Sequence, residues 1–126
     1  KEKSFKSSNL FKNKKILKKK NITFLKANSK IIKTFKKKFD FIFVDADHLF
    51  PGVSIDILNS MNILKKDGII LVDDIVKENF KNEYISNSAY ILLEYLKRSK
   101  IVQVEYLRKR LVSEKKTKFI AILKLI

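Results

Sequence analysis

The chain has 126 residues, of which 45% are hydrophobic and 33% charged, and its formal net charge is +16. This length allows at most one domain, and the apolar content is too high for general disorder. The absence of cysteine excludes disulfides and thiolate metal sites, and no apolar run is long enough to cross a bilayer or to form a signal peptide. We therefore expect a cytoplasmic protein with no membrane partner.

The positive charge comes from lysine rather than arginine. The 29 basic residues include only three arginines, Arg98, Arg108 and Arg110. Because arginine is preferred for bidentate contacts with phosphate and guanine, we favour a solvated lysine surface and expect nucleic acid to bind only non-specifically at low salt. A lysine-rich polyanion-binding module is the alternative that this charge leaves open.

The first third of the chain predicts a helix, a short strand and a second helix. The chain begins with lysine and not with methionine, so we expect residues 1–126 to be a single partial domain, of which residues 1–8 are disordered. A helical pattern covers 9–20, and an apolar run predicts a strand at Ile22–Leu25. Ser29 is suited to the N-cap of a helix over Lys30–Phe35.

Residues 39–76 form the centre of the predicted fold. The unbroken apolar run Phe41–Val44 is typical of a parallel strand buried on both faces. A helix follows from about Ser54 to Leu64 and ends at LKKDG, where Gly68 is suited to a left-handed turn. A second apolar run, Ile69–Val72, predicts a strand parallel to the first.

The last third predicts a loop, a strong helix and two strands. The loop covers Lys77–Ser88, and the helix runs from about Asn87 to Ser99. Ile101–Leu107 and Lys118–Ile126 are predicted to pair as an antiparallel hairpin with a long loop. The alternation of helices and strands favours a layered α/β fold with a mainly parallel sheet. The helix predicted from about Asn87 to Ser99 has an apolar stripe that we expect to be buried, formed by Ile91, Leu92, Tyr95 and Leu96.

Carboxylates follow both central strands, with Asp45 after the first and Asp73 and Asp74 after the second. Parallel strands end at the same edge of a sheet, so we expect these groups to converge and repel one another. Repulsion would raise at least one pKa unless a cation such as Mg²⁺ relieved it. Asp47 and His48 lie close by in sequence, and either could accept a proton from a substrate hydroxyl. Alternatively, these residues only form turns and helix caps.

The segments FDFIFVDADH, LKKDG and IILVDD resemble the second half of class I S-adenosylmethionine-dependent methyltransferases. The most similar branches are metal-dependent O-methyltransferases of the caffeoyl-CoA/catechol and macrocin/novobiocin types. The resemblance implies an α/β, Rossmann-like methyltransferase sheet, mostly parallel with a C-terminal antiparallel hairpin and lacking the first two strands. The implied reaction is metal-assisted methyl transfer from S-adenosylmethionine to a hydroxyl of a small molecule or a sugar.

The resemblance also implies roles for the acidic residues. Asp45, Asp73 and Asp74 would be the ligands of a hard divalent metal ion, either Mg²⁺ or another ion of this kind. His48 or Asp47 would be the general base that deprotonates the substrate hydroxyl. The choice between these two bases stays open, as does assembly into a homo-oligomer.

On the cofactor side, the resemblance places Asn28 and Ser29 near the adenine and Asp45 beside the cofactor. The family's glycine-rich loop has no counterpart in these residues, because the two glycines, Gly52 and Gly68, do not form a cofactor-binding pattern. A non-catalytic remnant or interaction domain that keeps the fold is therefore the second interpretation.

We predict that this chain by itself binds S-adenosylmethionine weakly or not at all and is inactive alone, since the contacts of the glycine-rich loop are missing. Isothermal titration of the purified chain with S-adenosylmethionine measures this directly. A dissociation constant in the micromolar range would contradict the prediction.

Overall fold

The computed structural model describes residues 21, 23, 25–45, 47–78, 86–113 and 116–126. The predicted disorder of residues 1–8, the predicted helix over 9–20 and most of the predicted loop over 77–88 lie outside the described residues. In chain order, the elements are a 3₁₀ helix (Ser29–Thr34), β1 (Phe39–Val44), α1 (Gly52–Asn62), β2 (Leu64–Ile75), α2 (Ser88–Arg98), β3 (Val102–Ser113) and β4 (Lys116–Leu125).

The four strands form one sheet in the order β1-β2-β4-β3. β1 runs parallel to β2, with Val44 opposite Val72. β4 is antiparallel to both β2 and β3. The α/β class, the parallel central pair and the C-terminal hairpin are thus confirmed. The predicted long loop of the hairpin is wrong, because β3 extends to Ser113 and β4 begins at Lys116. The expectation of a mostly parallel sheet is wrong for the described strands, because the hairpin contributes two antiparallel pairings against a single parallel one.

The core lies on one face of the sheet, where both helices pack. Ile57 of α1 and Leu93 of α2 are fully buried and join Ile70, Val72 and Leu123 of the strands in one cluster. Burial of branched apolar side chains supplies the main driving force for folding such a layer.

The opposite face of β1 is open, which corrects the expectation that this strand is buried on both faces. Val44 is buried, whereas the side chains of Phe41 and Phe43 are 56% and 50% exposed. Alternate residues of a strand point to opposite faces, and no described element covers the side on which these two phenylalanines lie.

The predictions for the two ends of α1, at Ser54 and at Gly68, are wrong in detail. The helix begins at Gly52 rather than Ser54, whose hydroxyl donates to the carbonyl of Pro51 at 2.7 Å. Gly68 lies inside β2 and does not have a positive φ. Its role is close packing, because an added Cβ would lie 2.8 Å from Leu64 Cδ1 and 3.0 Å from the carbonyl oxygen of Asp40.

The predicted helix over Lys30–Phe35 is instead a 3₁₀ helix, and its N-cap is Asn28 rather than Ser29. The Asn28 Oδ1 accepts a hydrogen bond from the Lys30 amide at 3.0 Å. Of the predicted strand at Ile22–Leu25, only Thr23 and Leu25 are described, and neither lies in a strand.

α2 confirms the predicted helix to within a residue at each end, but its buried stripe differs. Leu96 is buried as expected, and Ala89 and Leu93 are buried with it, at helical spacing. Ile91 and Tyr95 are exposed, because the sheet contacts the neighbouring stripe of the helix. No helix in the described part of the chain is long and apolar enough to cross a membrane.

We predict that Leu93→Ala lowers the free energy of unfolding by about 2–5 kcal/mol, because it removes a fully buried side chain and leaves a cavity. Ile91→Ala in the same helix is the matched control, since Ile91 is half exposed, and should cost about 0.5 kcal/mol or less. Urea denaturation followed by circular dichroism compares the two. Equal losses would show that α2 does not pack as described.

Candidate functional site

The carboxyl ends of β1 and β2 lie side by side, as the sequence predicts. Since Val44 is opposite Val72, Asp45 and Asp73 occupy neighbouring positions just beyond this pair. Asp45 is exposed, whereas Asp73 is buried. The two strand ends therefore converge, but their carboxylates lie in different environments.

A β-bulge turns both Asp73 and Asp74 toward the C-terminal hairpin. The pairing of β2 with β4 shifts register between Val72 and Ile75, and Asp74 has a φ of 53°. Consecutive residues of a regular strand point to opposite faces, whereas a bulge changes the direction of one of them. Aspartate is among the few residues that tolerate this left-handed conformation. The bulge thus allows one ammonium group to contact both carboxylates.

Two lysines of the hairpin neutralise this acidic pair, which we define as Asp73 and Asp74. Lys109 Nζ lies 2.7 and 2.6 Å from the two oxygens of Asp73 and 3.3 Å from Oδ1 of Asp74. Lys118 Nζ donates to Oδ2 of Asp74. Two negative and two positive charges therefore form one ion cluster across β2, β4 and β3.

The ion cluster lowers the pKa of Asp74, whereas mutual repulsion of the carboxylates was expected to raise at least one pKa. Burial alone would raise the pKa of Asp74, but hydrogen bonds from Lys118 and Lys109 outweigh it and hold that pKa below the ordinary value of 3.8. The hydrogen bond to Asp73 correspondingly raises the pKa of Lys109. The expectation of a raised pKa is therefore wrong for Asp74, because the sequence pattern did not show the lysines.

As arranged, the acidic pair does not fit a divalent cation. All four of its carboxylate oxygens already accept hydrogen bonds from lysine. Among the described residues, no group of three His, Cys, Asp or Glu side chains could hold a metal ion. The assignment of Asp45, Asp73 and Asp74 as metal ligands stays a prediction. Of these three residues, the structure brings only Asp73 and Asp74 into one cluster.

A separate cavity lies beside the amino end of α1 and has a volume of about 280 Å³. It brings together Asn28, Ser29 and Asp47, three of the residues that the sequence singles out. Asp45, His48 and the acidic pair do not line it. The lining residues are Asn28, Ser29, Lys30, Asp47, Pro51, Gly52, Ile55 and Asp56.

Asp47 is held at the cavity by a local turn. Its Oδ1 accepts a hydrogen bond from the amide of Leu49 at 3.0 Å, which is the turn-forming role weighed as the alternative. Gly52 leaves the room for this side chain, because a Cβ there would lie 2.0 Å from Asp47 Oδ2. His48 is half-buried. Asp47 is thus the candidate base with a defined position at the cavity.

Asp56 is a cavity residue that the sequence analysis missed. It is buried to 5% exposure although its side chain is acidic. A signal was present, since Val53, Asp56, Ile57 and Ser60 are spaced as the buried face of a helix, and a carboxylate in such a stripe needs a polar surrounding.

Comparison with known families supports the resemblance. A family described as a methyltransferase domain matches residues 6–75, more than half of the 126 residues. The chain belongs to this methyltransferase family. The matched part of the methyltransferase domain includes the whole cavity and the acidic pair, but neither α2 nor the hairpin with its two lysines. A search of curated proteins found no match.

We predict that Asp74 stabilises the methyltransferase domain at neutral pH and that this contribution disappears in acid. Its folded-state pKa lies below its ordinary value of 3.8, so the stabilisation is complete above that value and is lost as the pH falls through the folded-state pKa. Asp74→Asn should therefore lower the free energy of unfolding at about pH 7 and much less at about pH 2.

Asp40→Asn is the control, because Asp40 pairs with Lys65 at the surface, where the two side chains are 81% and 52% exposed. Urea titrations across this pH range should show a smaller change for Asp40→Asn than for Asp74→Asn, since solvent screens exposed pairs. A larger change for Asp40→Asn would contradict the prediction.

Proposed function

We propose that the chain forms part of an S-adenosylmethionine-dependent methyltransferase that transfers a methyl group to a hydroxyl of a small molecule or a sugar. The observation that carries this proposal is the cavity formed by Asn28, Ser29, Asp47 and Asp56 inside the segment that matches the methyltransferase family. The proposal places the adenosine part of the cofactor there.

The chemistry of the cavity suits adenosine. The amide of Asn28 and the hydroxyl of Ser29 can donate and accept hydrogen bonds, as the edge of an adenine requires. The carboxylates of Asp47 and Asp56 can accept hydrogen bonds from ribose hydroxyls or from the adenine amino group, and their negative charge favours a cationic cofactor.

The size of the cavity limits what it holds. Its volume of about 280 Å³ lies at the lower end of small-molecule sites, which cover roughly 300–1,000 Å³. This volume suits the nucleoside part of a cofactor rather than a whole cofactor together with an acceptor. The acceptor would then lie toward the carboxyl ends of β1 and β2, where Asp47 and His48 follow β1.

The proposed reaction is an in-line displacement. The acceptor oxygen forms a bond with the methyl carbon as the bond from that carbon to the sulfonium sulfur breaks, and S-adenosylhomocysteine leaves. The hydroxyl proton passes to Asp47 or to His48, which are the two candidate bases that follow β1. Metal assistance, which the resemblance implies, requires that the acidic pair exchange its lysine partners for a cation, and no step here depends on it.

Labelled methyl transfer tests the proposal in the longest form of the protein that its coding sequence provides. We predict that replacing the true base, through Asp47→Asn or His48→Gln, lowers kcat by about 10²–10⁴-fold. The other substitution should change kcat by less than about tenfold. His48→Gln should leave cofactor binding intact, because His48 does not line the cavity. Asp40→Asn is the control for loss of a surface carboxylate.

The outcome separates the proposal from its rival. Transfer of label to hydroxyl-bearing acceptors, lost in one of the two variants, supports the proposal. Absence of both transfer and cofactor binding in the longest form would favour a non-catalytic domain that keeps the fold.

A further inference from the structure

The ion cluster of the acidic pair with Lys109 and Lys118 differs from the surface ion pairs of the chain. The side chains of Asp73 and Lys118 are 10% and 15% exposed. By contrast, Lys65 and Asp40 form their ion pair in open solvent. Partly buried charges are screened less by salt and depend more strongly on their partners.

The lysines use every carboxylate oxygen of the acidic pair. Lys109 contacts both oxygens of Asp73 and Oδ1 of Asp74, and Lys118 contacts Oδ2 of Asp74. A hard divalent cation needs these same oxygens as ligands. With two ammonium groups in place the cluster is already neutral, so an added dication would gain no net Coulombic attraction and would have to share every oxygen with an ammonium group.

We infer that Lys109 and Lys118 act as built-in counterions that exclude a divalent cation from Asp73 and Asp74. The acidic pair then serves as a metal-free connection between β2 and the hairpin. A metal ion binds there only when a lysine is removed or displaced. This inference is independent of methyl transfer, because metal binding alone tests it.

The sequence location of the lysines supports this assignment. Both lie in the hairpin, outside the segment that matches the methyltransferase family, whereas the acidic pair lies inside it. The bulge at Asp74 directs the pair toward them. The proposed exclusion of metal therefore depends on the hairpin and on the bulge that directs the pair toward it.

The test is titration of the purified chain with Mn²⁺, a hard divalent cation whose paramagnetism broadens the NMR signals of nearby amides. The wild-type chain should show no saturable broadening at Val72 and Ile75. Lys109→Met and Lys118→Met should each create a saturable site that binds Mn²⁺ at least about tenfold more tightly than the wild type, since each removes one competing charge. Lys65→Met, which removes a surface ion-pair lysine, should behave as the wild type.

Two further variants keep the test decisive. Lys109→Arg retains the positive charge and should still exclude Mn²⁺. If Lys109→Met unfolds because Asp73 loses its partner, Lys118→Met still tests the inference, since Asp74 keeps its contact with Lys109. Saturable Mn²⁺ binding by the wild type that Asp73→Asn abolishes would overturn the inference, and so would a folded Lys118→Met chain that binds no Mn²⁺.

Discussion

The β-bulge at Asp73 and Asp74 is the constraint on which the arrangement of the carboxyl edge depends. In a regular strand the two carboxylates would point to opposite faces of the sheet. The bulge, with Asp74 in the left-handed region, lets both contact Lys109. Removing one partner of a buried ion pair costs about 3–5 kcal/mol, whereas exposed pairs contribute about 0–1 kcal/mol. The electrostatic stability of this edge is therefore concentrated in a few side chains.

The same end of β2 is fastened to the hairpin by a second kind of contact. Lys77, three residues beyond Asp74, places its ammonium 4.5 Å from the ring centre of Phe119 and 4.9 Å from that of Tyr106. The hydroxyl of Tyr106 in turn donates to Glu94 of α2 at 2.9 Å. Cation–π contacts of this kind favour a lysine over aromatic faces. Lysines thus connect the bulge and the residues just after β2 to the hairpin, while Tyr106 connects the hairpin to α2.

The cavity and the acidic pair are two distinct features of one sheet edge. The cavity is made by the residues around the 3₁₀ helix and the amino end of α1, and its carboxylates, Asp47 and Asp56, do not belong to the ion cluster. The ion cluster that the acidic pair forms with Lys109 and Lys118 is neutral as a unit, so it adds little field at a distance. The negative charge available to a cationic ligand therefore lies in the cavity, at Asp47 and Asp56, and at the exposed Asp45, rather than at Asp73 and Asp74.

Local sequence patterns predicted the helices and strands whose formation depends mainly on residues close in sequence. The apolar run at Phe41–Val44 and the helical period of α2 correspond to the observed strand and helix within one or two residues. The exposure of Phe41 could not be predicted in this way, because it depends on which layer covers each face of the sheet. The burial of Leu93 rather than Ile91 could not be predicted either. A helix that turns a neighbouring stripe toward the sheet has the same spacing of apolar residues.

The ion cluster shows why the candidate site was only partly predictable. The carboxylates of Asp73 and Asp74 are visible as a motif, but their partners lie 35 to 44 residues away on strands whose register the sequence does not specify. Most of the 29 basic residues were interpreted as a solvated surface. For Lys118, whose side chain is only 15% exposed, that interpretation is wrong, because its ammonium group is a counterion of Asp74. Lys109 stays exposed but pairs with both carboxylates. A carboxylate motif predicts a metal only when its surroundings leave the charge unbalanced, and long-range pairing decides that balance.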